Sequence, residues 1–169
     1  MDALILAAGL GSRIREVAPC KPLTDLHGLS LLEISIRQLA SAGATRVIVA
    51  TGYMADEIHA ELPAMAARAG IPVEARLVDD FQKPNGYSVL AGSAGFDGEF
   101  LLVMADHIFS VDVLASLAER KGTCEGAILA IDRGTVSPLI DPDDATWVAT
   151  DEHGDIRQIG KTLERYDCV

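Results

Sequence analysis

The sequence predicts an α/β fold: a mixed, mostly parallel sheet with helices on both faces. Three observations predict it. Short apolar runs alternate along the chain with segments of helical spacing. The runs are apolar at consecutive positions, as strands covered on both faces require, and not alternately apolar and polar. The 169 residues are 49% apolar and contain no low-complexity linker or internal repeat, so a single domain over 1–169 is expected, burying roughly 70% of its unfolded surface.

Each element has its own warrant. "ALILAA" (3–8) is a strand, and "SLLEISIRQLASAG" (30–43) a helix, with Ser30 as N-cap, Glu33 three residues on and Gly43 as its stop. "RVIVAT" (46–51) is a second strand. "MADEIHAELPAMAARAG" (54–70) is a second helix that Pro63 should kink or split. "PVEARLV" (72–78) is a strand, "GYSVLAGSAGF" (86–96) a short helix and "EFLLVMA" (99–105) a strongly apolar central strand. "VDVLASLAERKG" (111–122) follows as a helix, and "GAILAID" (126–132) as a strand. "TWVATD", "IRQIGKTL" and "DCV" read as short extended segments. Trp147 is a lone aromatic with no visible partner, and Cys20 beside Lys21 reads as incidental.

The formal net charge of −11 argues against nonspecific binding of nucleic acid or anionic membrane. No apolar run reaches the roughly 18–20 residues of a membrane span, and the N-terminus lacks a basic leader region. Three cysteines with no CxxC pair fit a reduced cytoplasm. The acids gather late, at Asp141, Asp143, Asp144, Asp151, Glu152 and Asp155. Between Gly9 and Pro22, Arg13, Arg15 and Lys21 face only Glu16.

That first loop is where chemistry is expected, because ligands of open α/β sheets bind beyond the carboxyl ends of the strands. Glycine amides approach an anion closely. Two nucleotide motifs fail on spacing. A dinucleotide fingerprint would need Gly or Ala where Ile14 stands, and an acid after "VIVATGY". A P-loop would need four residues where five separate Gly154 from Gly160-Lys161-Thr162.

What remains is a strand, then Ala-Ala-Gly-x-Gly-Ser-Arg, with Lys21-Pro22 eight residues after Arg13. It resembles the signature of sugar-phosphate nucleotidyltransferases, which join a nucleoside triphosphate to a phosphorylated sugar or polyol and release pyrophosphate. A glycine turn with solvated cations is the plain alternative. The resemblance implies a Rossmann-like fold of the nucleotide-diphospho-sugar transferase type. It also implies that the backbone at Ala7, Ala8 and Gly9 contacts base and ribose, that Gly11, Ser12 and Arg13 hold the triphosphate, and that Lys21 reaches the reacting phosphate.

Asp106 ends the strand of "LLVMADHIF", where a carboxylate either holds Mg²⁺ or caps a loop. In the resembled family this aspartate is a metal ligand. His107 is either an acceptor contact or a loop histidine. Asn85 and Gly86 open a helix, with Ser88 in its first turn, and free N–H groups at a helix start can read a base edge. An ordinary Asn-Gly turn is the alternative. The family places its base-selecting loop there, and "NGYS" most resembles the CTP:inositol-1-phosphate cytidylyltransferases. Lys161 falls where the family binds the acceptor's phosphate, and a solvated surface lysine is the default. Asp144-Ala145-Thr146 and Ile159-Gly160-Lys161 resemble the same branch.

The expected function is therefore Mg²⁺-dependent transfer of CMP from CTP to inositol-1-phosphate or a related phosphorylated polyol. Arg13, Lys21 and Asp106 would be the catalytic groups. A sugar-1-phosphate nucleotidyltransferase using another NTP, a choline-phosphate cytidylyltransferase and a nonenzymatic nucleotide-binding module stand as alternatives. The resembled family has a second metal carboxylate in an Asp-Thr-Gly-like stretch. Asp167 is a poor substitute, so a longer natural chain is expected to continue with that stretch past Val169.

Overall fold

The computed structural model describes residues 1–11, 18–123 and 125–169, in two units, Met1–Glu125 and Gly126–Val169. The first unit runs β1 (Asp2–Ala7), a 3-10 turn (Lys21–Leu23), β2 (Asp25–Leu26), β3 (Leu29–Ser30) and α1 (Leu31–Ser41). It continues through β4 (Arg46–Thr51), α2 (Ala55–Ala69), β5 (Val73–Leu77), α3 (Asn85–Ser93), β6 (Phe100–Met104) and α4 (Val111–Glu119). The main sheet has the order β5-β4-β1-β6, and every pairing in it is parallel.

Both faces of β1 are covered because both are apolar; Ala3, Leu4 and Ile5 are wholly buried. Its odd-numbered side chains join Val47, Val49, Leu101 and Val103 against α1, α2 and α4, through Leu32, Ile36, Ile58, Met65 and Leu114. Leu4 and Leu6, with Ile48 and Ala50, form the opposite face, packed by Val89 and Ala91 of α3. Helix α3 comes so close that a Cβ at Gly92 would lie 2.4 Å from the Leu4 side chain. The expected layering of helices on both faces is what the sheet has.

Local chemistry sets the helix ends. Ser30 caps α1, its hydroxyl accepting from the Glu33 N–H at 3.1 Å. Gly43, with φ 91, follows the last turn. Glu33 is buried and bonded by Arg37 and by Arg68 of α2 at 2.6–3.0 Å. The Arg68 hydrogen bonds, then those of Arg37, hold its carboxyl down at about 2 against the opposing effect of burial.

Three expectations need correction. Pro63 does not split α2, which runs from Ala55 to Ala69 because Ile58, Leu62 and Met65 bury one face. Residues 126–132 form no strand: among the described residues Asp132 is the one of them that exchanges backbone bonds, with Val169 at 2.8 Å, and an apolar run makes a ladder only where a strand lies beside it. Trp147 has a partner, stacking on Tyr166 at 4.1 Å. An unforeseen hairpin joins β2 to β3 through His27 and Gly28, both at positive φ, as a two-residue type I′ turn requires.

The second unit pairs β7 (Trp147–Thr150) antiparallel with β8 (Ile156–Gly160), and Cys168 bridges to Val148. Among the described residues no helix is long and apolar enough to cross a membrane.

Candidate active site

Because the four strands are parallel, their carboxyl ends lie along one edge of the sheet. The chain leaves β1 for β4 on one side and later places β6 on the other. The strand order therefore reverses between β1 and β6, and the loops after these two strands bound a crevice of the kind that binds ligands in open sheets. The loop after β1 carries Gly9 and Gly11, and the loop after β6 carries Asp106 and His107.

Each side chain has a local reason for its place. Ala105 N–H donates to the Leu6 carbonyl at 3.0 Å, extending the β1–β6 ladder one rung and fixing Asp106 just outside it. Lys21 opens the 3-10 turn whose Pro22 is buried, so the lysine is anchored by its own backbone. Its Nζ meets Asp106 Oδ2 at 2.6 Å, and His107 Nδ1 lies 2.8 Å from Asp106 Oδ1. The His107 contact, then Lys21, holds the aspartate well below the usual carboxylate range, although half-burial works the other way. Both Lys21 and Asp106 keep about a third of their side chains exposed, at 32% and 31%, so a ligand can reach them. The His107 ring stacks on Phe109 at 6.0 Å.

Gly11 has φ +58, and a Cβ there would stand 3.1 Å from the Lys21 Cβ. A side chain at residue 11 would thus press on Lys21 and strain a left-handed backbone, so glycine suits the position. A cavity lined by Ala7, Gly9, Gly11, Lys21, Ala105 and Asp106 opens here. Ala7 and Ala8 are buried and offer only backbone, while Gly9 is exposed. Ser12 and Arg13, with Arg15 and Glu16, lie outside the described residues.

Asn85 and Gly86 form the exposed first turn of α3. Ser88 differs: it is buried, one turn before Gly92, the residue of α3 that meets Leu4. In the second unit, Lys161 Nζ donates to the Asp144 carbonyl and lies 3.7 Å from its Oδ1. That contact joins Asp144-Ala145-Thr146 to Lys161. Asp167 accepts from the Thr150 N–H at 2.7 Å, from its hydroxyl at 2.6 Å and from Arg133 at 2.7 Å, which together hold its carboxyl well below the usual range. Burial pushes the Cys20 thiol up, away from reactivity.

Sequence reasoning missed Gly52 and Tyr53. Tyr53 N–H donates to the Ala8 carbonyl at 3.1 Å, and a Cβ at Gly52 would lie 2.9 Å from the same oxygen. A glycine directly after a strand was the available signal.

Several known proteins are similar to this chain in sequence or fold. The "Bifunctional IPC transferase and DIPP synthase" of Rubrobacter xylanophilus is 35% identical over 99% of this chain, which covers 36% of that protein. The protein of the same name from Archaeoglobus fulgidus is 34% identical over the whole chain, covering 31% of it. The chain thus spans about a third of the length of these curated relatives. The structure of the inositol-1-phosphate CTP transferase from T. maritima superimposes with a TM-score of 0.70 at 24% identity, over 99% of this chain and 66% of that one, a likeness of fold. Residues 3–161 match the MobA-like NTP transferase domain. With the glycine loop, Lys21 and Asp106 all inside that match, the chain belongs to the MobA-like NTP transferase family.

Proposed function

We propose that this chain is a cytidylyltransferase that transfers CMP from CTP to inositol-1-phosphate, or to a related phosphorylated polyol, and releases pyrophosphate. The observation that carries the reading is the meeting of Lys21 and Asp106 in the crevice where the strand order reverses. The choice of acceptor rests on relatives named as IPC transferases. It also rests on the resemblance of "NGYS" and of Asp144-Ala145-Thr146 with Lys161 to the inositol-phosphate branch. The match over residues 3–161 spans both units, which supports one nucleotidyltransferase domain. The three cysteines support a reducing cytoplasm as its setting.

In this reading the backbone at Ala7, Ala8 and Gly9 contacts base and ribose, and Gly11, Ser12 and Arg13 hold the triphosphate. The first turn of α3 at Asn85 and Gly86 reads the base, and Ser88 packs that turn in place. His107 in the first unit and Lys161 in the second are each read, by the resemblance, as acceptor contacts. The acceptor's phosphate oxygen attacks the α-phosphorus of CTP in line. It is already ionised at neutral pH, so no strong general base is needed. Lys21 lies where it can stabilise charge developing on the reacting phosphate, which is the main task of a protein in phosphoryl transfer.

Asp106 fits Mg²⁺. It is a hard oxygen donor kept ionised, and a second carboxylate, phosphates and water would complete the shell. When bound, the ion would neutralise phosphate charge.

Lys21→Ala removes one charge-stabilising donor, worth about 2.7–4 kcal/mol, and should lower kcat about 10²–10³-fold in a pyrophosphate-release assay with CTP and inositol-1-phosphate. Near-normal turnover would refute the role. A panel of nucleotides and acceptors in the same assay separates the sugar-1-phosphate and choline-phosphate alternatives. Stabilisation by CTP with no pyrophosphate from any acceptor would identify a binding module.

A further inference from the structure

We propose that Gly52 is a positioning residue: it sets the gap between the glycine loop and the segment running from Phe81 to Asn85, and through that gap the affinity and base selectivity for the nucleoside triphosphate. The inference rests on reading the Ala8–Gly11 loop as the nucleotide cradle and goes on to say what holds its two walls apart.

Three observations converge on this position. First, the Tyr53 N–H bonds to the Ala8 carbonyl at 3.1 Å, so the turn after β4 supplies the last rung before the loop begins at Gly9. Second, a Cβ at Gly52 would lie 2.9 Å from that carbonyl oxygen, 2.5 Å from the Phe81 Cβ and 2.9 Å from its Cγ. The backbone at Gly52 is not in the left-handed region, so the requirement is for space: Phe81 and the Ala8 carbonyl occupy the volume a side chain would take. Third, Met54 is held at φ 52, a conformation disfavoured for a residue with a side chain, so the turn is fixed at some cost.

Phe81 packs with Ala8 and Val78 in the cluster on the α3 side of the sheet, its ring 6.4 Å from that of Tyr53. It stands four residues before Asn85. One absent methyl therefore lets the wall proposed to hold phosphate and ribose touch the wall proposed to read the base. Ala8 is locked at the end of the central strand, so a methyl at residue 52 would drive the Phe81 segment outward and carry Asn85 with it.

The test is Gly52→Ala in the full chain, with CTP and UTP titrated calorimetrically in the presence of Mg²⁺ and thermal unfolding recorded alongside. The Kd for CTP should rise about tenfold, the effect of losing one hydrogen bond to the base. Affinities for CTP and UTP should converge, and unfolding should stay cooperative. In the pyrophosphate assay KM for CTP should rise while kcat stays within about threefold, a split that general loss of structure would not give. Phe81→Ala loosens the same wall instead of crowding it, should weaken CTP binding likewise, and decides the matter if Gly52→Ala does not unfold cooperatively. Unchanged CTP affinity in a cooperatively folded Gly52→Ala, or in Phe81→Ala where the first does not fold, overturns the proposal. So does a fall in kcat at constant KM. If Lys21→Ala is impaired and Gly52→Ala is normal, only the role of Gly52 is lost. A wild-type chain without affinity for any nucleoside triphosphate overturns the cradle reading along with it.

Discussion

A carboxylate survives in the core at position 33 because two guanidiniums meet it, one from its own helix and one from α2. Its folded pKa of about 2 lies below the ordinary 4.5, so its stabilisation is complete above about pH 4.5 and fades as pH falls toward 2. Glu33→Gln should cost about 1.5–3 kcal/mol at pH 7, the range for hydrogen bonds to charged groups. Urea unfolding should show its gap from wild type closing at low pH. A gap unchanged between pH 7 and pH 2.5 would mean the ion pairs are not its source. At Gly11, alanine must adopt a left-handed backbone and press on Lys21, so Gly11→Ala should lose about 1–2 kcal/mol of stability and weaken CTP binding, both readable from melting with and without nucleotide. At this scale the sequence marked Lys21, Asp106 and the loop glycines as candidates by their place after two apolar strands, and the structure brings Lys21 and Asp106 together. The sequence offered for Gly52 only a glycine placed directly after a strand, and not the reason for it, which is Phe81 folding back over it from 29 positions later.

Helix α2 carries a proline in its interior, where the carbonyl of His59 loses its donor. Pro63 is exposed, so Pro63→Ala removes no core contact. It should raise stability by about 2 kcal/mol, the helix penalty of proline less its restriction of the unfolded chain. A higher urea midpoint with the same slope would show it. In α3 the last turn is closed by Arg76 of β5, whose guanidinium donates to the carbonyls of Ala91, Gly92 and Ala94. Arg76→Met should cost about 1–3 kcal/mol by leaving those carbonyls short of a partner, and amide exchange should rise first in α3. The long strands were legible because burial on both faces leaves an unbroken apolar run. The β2–β3 hairpin was not, since His-Gly is an uncommon spelling of its turn. "GAILAID" misled because strand propensity says nothing about whether a neighbour is present.

Over the whole molecule, buried apolar side chains concentrate in the first unit. Trp147, Val148 and Cys168 are the buried apolar residues of the second among those described. Amides of β7 and β8 should therefore exchange well before those of β1 and β4 in a native-state hydrogen-exchange experiment. Equal protection in the two units would show that they open as one. The layered parallel sheet was legible from alternation alone. The division at Glu125 was not, because the charged, glycine-containing stretch "ERKGTCEG" (119–126) also reads as an ordinary loop after a helix.

The resting ion pair between Lys21 and Asp106 bears on how fast a ligand is captured. A triphosphate approaching the crevice meets a lysine whose charge is already matched, on a chain with net charge −11. The chain's overall charge repels it at long range, while Arg13 and Arg15 of the same loop have only Glu16 against them in sequence, and dissolved salt limits the reach of either effect to about 8 Å at 0.15 M. Stopped-flow association of a fluorescent nucleotide should therefore be slower in Arg13→Ala than in wild type, and the difference should shrink as ionic strength increases.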